Sequence, residues 1–443
     1  MKPVEAVLIG AGSRGFLEFG GFARRFPQSL RFAAVADPDE GRMNAFGETH
    51  AIPHGKRFAD WKDLLNNKQM GEILINATPD RLHYQITKAA LEKGYHVFQE
   101  KPIAATLEDC LATGGLAKSS DRLIQIGHCL RFTPFYRAAH DILSEGKIGQ
   151  TVTLTYEENV TFDHMAHSFV RGNYGNRAAS SPMIIAKSCH DLDILVWLAL
   201  GRKPLRVSSF GSLTYYRKEN APAGAPERCT DGCPHEHECP FSAIKTYVKE
   251  AGPDIGYGRA QWQVCRSGAP EERMAALKTS PYGRCVFRCD NDAVDHQIVN
   301  IEFEGGLTMA FTMQGFGAAY PPGETTQFGH ISGGAGRTFT VFGTKGVLNA
   351  PCYGHLELTD FLLKQTLKMQ TGFPEGGHGG GDYGMLHNFI SAVRNGAKDL
   401  LRTSVNESIM SHVIGFAAEE SRLSNGKVIE LEDFVRKIKG MQE

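Results

Sequence analysis

The chain has 443 residues, 42% hydrophobic and 22% charged, so it can bury a sizeable core and is not disordered as a whole. Lys and Arg total 48 against 49 Asp and Glu, a formal net charge of −1, which removes the bulk electrostatic case for a nucleic-acid partner. The most apolar stretch, Met183 to Leu200, is interrupted by Lys187, His190, Asp191 and Asp193, whereas a membrane span needs ~20 nearly uncharged residues. No hydrophobic leader opens the chain, so a cytoplasmic enzyme with no membrane partner is the expectation.

The first third alternates short apolar runs with helical patterns, the signature of a doubly wound parallel sheet. Val4 to Ile9, Phe32 to Ala36, Ile73 to Ala77, Tyr95 to Phe98 and Leu123 to Gly127 read as its strands, and Leu82 to Lys93 as a helix stopped at Gly94. From about Thr151 the texture changes. Thr151 to Tyr156, Arg206 to Tyr215, His296 to Phe303 and Leu307 to Gln314 read as strands, the last two joined by a turn at Glu304-Gly305-Gly306. Arg337 to Leu348 reads as another hairpin, Ser181 to Leu200 as one helix, and Thr403 to Asn425 as a helix folding back onto the body. The fold class expected is α/β: a Rossmann domain over residues 1–130, then an α+β domain over 131–443 with a large, mostly antiparallel sheet. A Cys-rich insertion is expected at about 218–292.

Gly10-Ala11-Gly12-Ser13-Arg14-Gly15 follows the first strand and opens a helix, as a dinucleotide-binding turn does. Gly10 permits the tight turn, Gly12 lets backbone approach a pyrophosphate, and Gly15 permits close helix–strand packing. Asp37 ends the second strand about 20 residues on, where a carboxylate takes ribose hydroxyls. Asp37-Pro38-Asp39 favours NAD, while Arg42 keeps NADP open. Ser13, Arg14, Thr78, Pro79, His83 and Glu100 complete the expected cofactor contacts, with Lys101 reaching from a strand end toward the nicotinamide ribose and a substrate hydroxyl.

Gly10–Gly15, Ala36-Asp37-Pro38, Ala77-Thr78-Pro79-Asp80-Arg81-Leu82-His83, Glu100-Lys101-Pro102 and His190-Asp191-Leu192-Asp193 together resemble the Gfo/Idh/MocA oxidoreductases, a likeness running over nearly the whole chain. The resemblance implies NAD-dependent oxidation or reduction of a secondary hydroxyl on a sugar, glycoside or cyclitol, in a homodimer or homotetramer. Lys101 would bind the reacting hydroxyl, and His190 would be the general acid/base. Elementary chemistry asks for the same pair: a base within reach of the hydroxyl proton, and a cation beside the developing alkoxide. Some relatives instead hydrolyse glycosides by transient oxidation at C3, elimination, water addition and reduction, which requires a second base; His167 or His378 is the candidate.

One departure from the family pattern stands out. Many members carry an Asp four residues before the catalytic His, where this chain has Ala186 beside Lys187. Either Asp191 or Asp193 then orients the imidazole, or His190 works without a carboxylate. Arg131, His167, Arg171, Lys187, Asp191, Asp193 and His378 are the candidate substrate contacts. The insertion adds a separate feature. Cys229, Cys233, Cys239 and Cys289, with Cys285 as the alternative, form a candidate structural zinc set; an iron–sulfur cluster and free or paired thiols remain open.

Overall fold

A computed structural model describes residues 2–249, 263–265, 269–317 and 336–440. Parts of the expected insertion, residues 250–262 and 266–268, therefore lie outside the described residues. Strands β1 (Val4–Ile9), β2 (Leu30–Ala36), β3 (Arg57–Phe58), β4 (Ile73–Asn76), β5 (His96–Gln99) and β6 (Ile124–Ile126) pair side by side in the order β3-β2-β1-β4-β5-β6. Every pairing is parallel. Both faces of such a sheet are covered, which is why these strands read as continuous apolar runs rather than alternating ones. The strand order reverses between β1 and β4, and ligands of open α/β sheets bind in the crevice at that reversal, beyond the strand C-termini.

The second sheet comprises, among the described residues, β7 (Thr151–Thr161), β8 (Pro204–Ser212), β9 (His296–Phe303), β10 (Thr308–Gly317), β11 (Gly336–Gly343), β12 (Gly346–Cys352), β13 (His355–Asp360), β14 (Gln365–Gln370) and β15 (Ile429–Glu430). Their order is β14-β13-β12-β11-β7-β10-β9-β8-β15, antiparallel throughout except for the parallel pair β7 and β10. Alternation is clear in β9, where Gln297, Val299, Ile301 and Phe303 face inward. The hairpin between β9 and β10 turns at Gly305 and Gly306, whose φ values of 74° and 77° suit glycine. Both expected hairpins form.

The helix expected over Ser181 to Leu200 is broken. Met183–Ala186 forms one short helix and α1 (Cys189–Leu198) the next, with Lys187 and Ser188 between them. In a continuous helix the Ala186 carbonyl would accept the N–H four residues on. Here it accepts the Lys101 ammonium at 2.5 Å. The break therefore turns a helix carbonyl into a cation acceptor.

Two late helices, α2 (Gly381–Asn395) and α3 (Val405–Leu423), return to the first sheet. Gln125 in β6 donates to the Met385 carbonyl at 3.0 Å, and the Ile126 N–H donates to the Thr403 carbonyl at 2.8 Å. Thr403 answers with its hydroxyl to the Ile126 carbonyl, also at 2.8 Å. The exposed edge of β6 is thereby capped by residues from the chain's far end. No helix among the described residues is long and apolar enough to cross a membrane.

Candidate active site

The glycine turn has the shape its sequence predicts. A Cβ on Gly10, whose φ is +95°, would lie 2.5 Å from the Ala77 carbonyl oxygen, and one on Gly15 would lie 2.0 Å from the Gly10 oxygen. A Cβ on Gly12 meets nothing within 4 Å. The first and third glycines are thus demanded by packing, while the second faces open space where a pyrophosphate could approach. Gly15→Ala should accordingly cost the fold several kcal/mol, whereas Gly12→Ala should melt normally and lose dinucleotide affinity. Thermal melts and nucleotide titrations of the two variants check this.

Asp37 is 4% exposed at the end of β2. It accepts the Ala11 N–H at 2.8 Å, the Asp39 N–H at 2.9 Å and Arg42 Nε at 3.2 Å. It therefore pins the glycine turn, and Arg42 is already committed to a carboxylate. Thr78 bonds Asn76 at 2.7 Å just past β4. Ser13 and Pro79 sit partly exposed or exposed along the same rim.

Two expected cofactor residues have other work. His83 is fully buried, its Nδ1 2.7 Å from the Pro102 oxygen and its Nε2 2.9 Å from the Thr78 oxygen. It ties the loop after β4 to the loop after β5, so it supports the rim and does not line it. Arg14 points away from the turn toward carboxylates: it meets Glu100 at 2.6 Å and grips Asp382 of α2 through two bonds of 2.8 and 2.9 Å. Glu100 also accepts the Lys101 N–H at 3.1 Å, which fixes the strand end that carries the lysine.

Lys101 and His190 come from separate parts of the chain and share one electrostatic environment. His190, in the first turn of α1, is 5% exposed, and its Nδ1 is buried without a hydrogen-bond partner. Burial first, then the Lys101 charge, hold its imidazole well below the usual range. The expectation that Asp191 or Asp193 orients this imidazole fails. Asp191 turns to the second sheet, accepting Arg337 Nε at 2.6 Å and the Tyr156 hydroxyl at 3.0 Å. Burial nonetheless pushes the Asp191 carboxyl up to about 6 despite Arg337. Asp193 takes two bonds of 2.7 Å from Arg131. The broken helix also removes Lys187 from the face of α1; its ammonium pairs with Glu158 at 3.1 Å, and Glu158 meets Arg337 at 2.9 Å.

Three expected substrate contacts are likewise corrected. Arg131, 3% exposed, is a clamp between the loop after β6 and α1. His167 has both ring nitrogens occupied, by the Tyr247 hydroxyl and the Gln263 side chain, each at 2.7 Å, with Tyr282 stacked 4.6 Å away. Arg171, 4% exposed, donates to the carbonyls of Arg284 and Phe241 at 2.7 Å each. The insertion covers both residues.

His378 does reach the site, with a partner the sequence reading missed. Its Nδ1 lies 3.0 Å from Asp382, and its ring centroid is 5.9 Å from that of His190. The four-residue spacing of His378 and Asp382 at a helix start was the available signal. Among the described residues, Cys129, His190 and His378 are the one group of three whose ligand atoms all lie within 4.8 Å of one another. Behind His190 stand two more imidazoles, His128 at 5.6 Å and, beyond it, His412 at a further 5.6 Å.

His412 accepts the Ile103 N–H at Nε2, 2.9 Å, so its neutral form is built into the packing. Burial first, then His128, lower it from 6.5 to about 3. Below pH 6.5 the unfolded chain takes up a proton there that the folded chain refuses until about pH 3, so stability falls as pH drops through that window. At pH 5 this one group should cost about 2 kcal/mol, and His412→Gln should flatten that part of a stability-versus-pH curve.

Residues 4–128 match the family model for the Gfo/Idh/MocA oxidoreductases, described as an oxidoreductase family with an NAD-binding Rossmann fold. The matched residues span the whole of the first sheet, β1 to β6. It is 23% identical to YteT of Bacillus subtilis, a protein named for an oxidoreductase activity, over 87% of this chain and 88% of that one. It is 27% identical to the inositol 2-dehydrogenase of Salmonella typhimurium over 44% of this chain and 54% of the relative. An inositol dehydrogenase homologue from Azotobacter vinelandii, solved with NADH and myo-inositol, superposes with a TM-score of 0.63 at 16% identity, covering 97% of this chain and 98% of that one.

Proposed function

We propose that this chain interconverts a secondary hydroxyl and a ketone on a sugar, glycoside or cyclitol, with Lys101 and His190 handling the proton and NAD as the preferred nucleotide. The observation that carries the reading is a buried imidazole with an unpartnered nitrogen, in the field of an ammonium from the end of β5. NAD, when bound, supplies the two-electron acceptor or donor. Gly12, Ser13, Asp37, Thr78 and Pro79 would hold it; the open space at Gly12 and the carboxylate of Asp37 fit a dinucleotide with free ribose hydroxyls. Arg42 meets Asp37 through Nε, and the Asp37 and Asp39 carboxylates on that rim disfavour a 2′-phosphate.

With its proton affinity depressed, His190 is neutral at neutral pH and accepts the hydroxyl proton. Lys101, resting on the Ala186 carbonyl, donates to the substrate oxygen and offsets its growing negative charge. Arg14, Glu100 and Asp382 hold the lysine's strand end and α2 in fixed relation. The division near residue 130 into nucleotide and substrate domains is part of the same proposal. The outer face of the second sheet shows Phe210, Ile298 and Phe342 to solvent, which supports an oligomer formed through that open face.

A second reading, glycoside cleavage through a transiently oxidised carbon, is favoured by one observation. It needs another base to remove a neighbouring C–H proton, and the carboxylate-held His378 stands beside His190. His167, the other candidate, is occupied. Incubating sugars and aryl glycosides with enzyme and NAD, while following nicotinamide absorbance and aglycone release together, separates the two. Nicotinamide reduction without aglycone supports the dehydrogenase; aglycone with no net reduction selects cleavage; neither, across the panel, overturns both.

A further inference from the structure

The proton-handling imidazole stands inside an arrangement that can hold a metal ion. Cys129, His190 and His378 come from the loop after β6, the first turn of α1 and the glycine-flanked loop before α2. Their ligand atoms lie within 4.8 Å of one another, and no other three His, Cys, Asp or Glu side chains among the described residues do so. The insertion is no exception. Cys229, Cys233, Cys239 and Cys285 line one void, yet no three of the insertion's described thiols meet that distance.

We propose that Cys129, His190 and His378 bind a divalent cation of the zinc class, and that the bound ion silences the site by occupying the imidazole that takes the substrate proton.

Three observations carry this. The first is the donor set. One thiol and two imidazoles suit zinc, whereas magnesium and calcium take oxygen ligands. Three protein donors leave the fourth tetrahedral position to water.

The second is availability. The Cys129 thiol is free and fully buried, and His190 Nδ1 is buried without a hydrogen-bond partner. His378 Nδ1 faces Asp382 at 3.0 Å. An ionised carboxylate only accepts, so Nδ1 carries the proton and Nε2 keeps its lone pair for a cation. A carboxylate on the far nitrogen is also the common outer partner of a metal-bound histidine. Asp382 is itself fixed by two bonds from Arg14.

The third is reach. With Zn–N bonds of about 2.0–2.1 Å and Zn–S bonds of about 2.3 Å, a tetrahedral ion wants its donors about 3.3–3.8 Å apart. His378 can close the remaining gap, because it stands exposed at φ +52° between Gly376-Gly377 and Gly379-Gly380-Gly381. Cys129 and His190 stay anchored in the interior. The surroundings admit the charge: Arg337 is paired with Glu158 and Asp191, and Arg14 with Glu100 and Asp382. Cys129 releases its thiol proton to solvent on binding, so the ion adds one net positive charge.

A neutral imidazole has one lone-pair nitrogen and one N–H. Once the lone pair ligates a cation, the ring accepts no proton. The silencing thus rests on the reading of His190 as the proton acceptor, while the binding does not.

The test takes the full-length chain, stripped of metal by a chelator, and titrates it with Co²⁺, which fills zinc sites and reports a thiolate ligand by its near-ultraviolet band. A saturable band that excess zinc erases is expected. Cys129→Ser and His378→Ala should each weaken cobalt binding at least about tenfold, the least that losing even an outer partner costs, whereas Cys285→Ser should keep the band. In turnover with NAD and an accepted sugar, zinc should cut the rate by the fraction of sites it fills, and chelator should restore it. Cys129→Ser should match the parent without zinc and resist zinc. A band absent, or present and independent of Cys129 and His378, overturns the proposal whether or not the chain oxidises sugars. Turnover unchanged or raised at saturating zinc overturns the silencing, and with it the role given to His190. If no sugar is turned over, the function proposed above falls together with the silencing, and the cobalt titration alone decides the site. Should Cys129→Ser fail to fold, His378→Ala, on its exposed loop, gives the same readout of binding.

Discussion

Replacing His190 with Asn should lower kcat/KM by about 10²–10⁴-fold, the range a positioned proton acceptor contributes. The buried Nδ1 makes no hydrogen bond that the substitution would break, so the melting temperature should stay within a few degrees of the parent. Nucleotide affinity should be unchanged as well, since the glycine turn and Asp37 lie on another element. The parent's activity should hold on acidification past pH 6.5, because burial and Lys101 keep the imidazole neutral there, and fall only at lower pH. Lys101→Met should cost about 10²–10³-fold through loss of charge stabilisation. The two residues serve one proton transfer, so the double variant should be little worse than the weaker single one. Activity of His190→Asn within tenfold of the parent would remove the imidazole from the chemistry.

Arg131→Met should destabilise the fold by about 3–5 kcal/mol, because it leaves the Asp193 carboxylate, 1% exposed, without its partner. Burial already raises the Asp193 carboxyl even with the guanidinium in place. Without Arg131 the carboxyl would rise further, so the loss should grow as pH climbs above the ordinary carboxylate range and shrink in acid. Arg131→Met with Asp193→Leu should recover most of the lost stability, since an apolar pair of similar volume replaces a desolvated one. Denaturant melts at two pH values measure all of this. The same series tests the sequence-based expectation for Arg131: a substrate contact would raise KM and leave the melt unmoved.

Much of the nucleotide half is legible in the sequence because its signals are local. Gly10, Gly12 and Gly15 owe their identities to contacts within one turn and its neighbouring strand, and Asp37 acts at a fixed distance along the chain. The hairpins at Gly305 and Gly343 follow from turn residues between alternating strands. The candidate site is less legible, because partner choice there is decided by contacts far apart in sequence. Arg131 and Asp193 are separated by 62 positions, and His167 and Gln263 by 96. A conspicuous Arg or His in a plausible loop looks alike in sequence whether it faces a cleft or fills an interior slot. The break at Lys187 and Ser188 was equally hidden: no Gly or Pro marks it, and the lysine that takes up the freed Ala186 carbonyl lies 85 positions away.

Capping β6 with Thr403 also bears on how this protein could be dissected. A fragment ending after β6 would retain every glycine of the nucleotide turn yet bare the strand's outer edge and leave Arg14 without Asp382. Such a fragment should self-associate through that edge. Swapping nucleotide modules between relatives should therefore succeed only when the terminal helices travel with them.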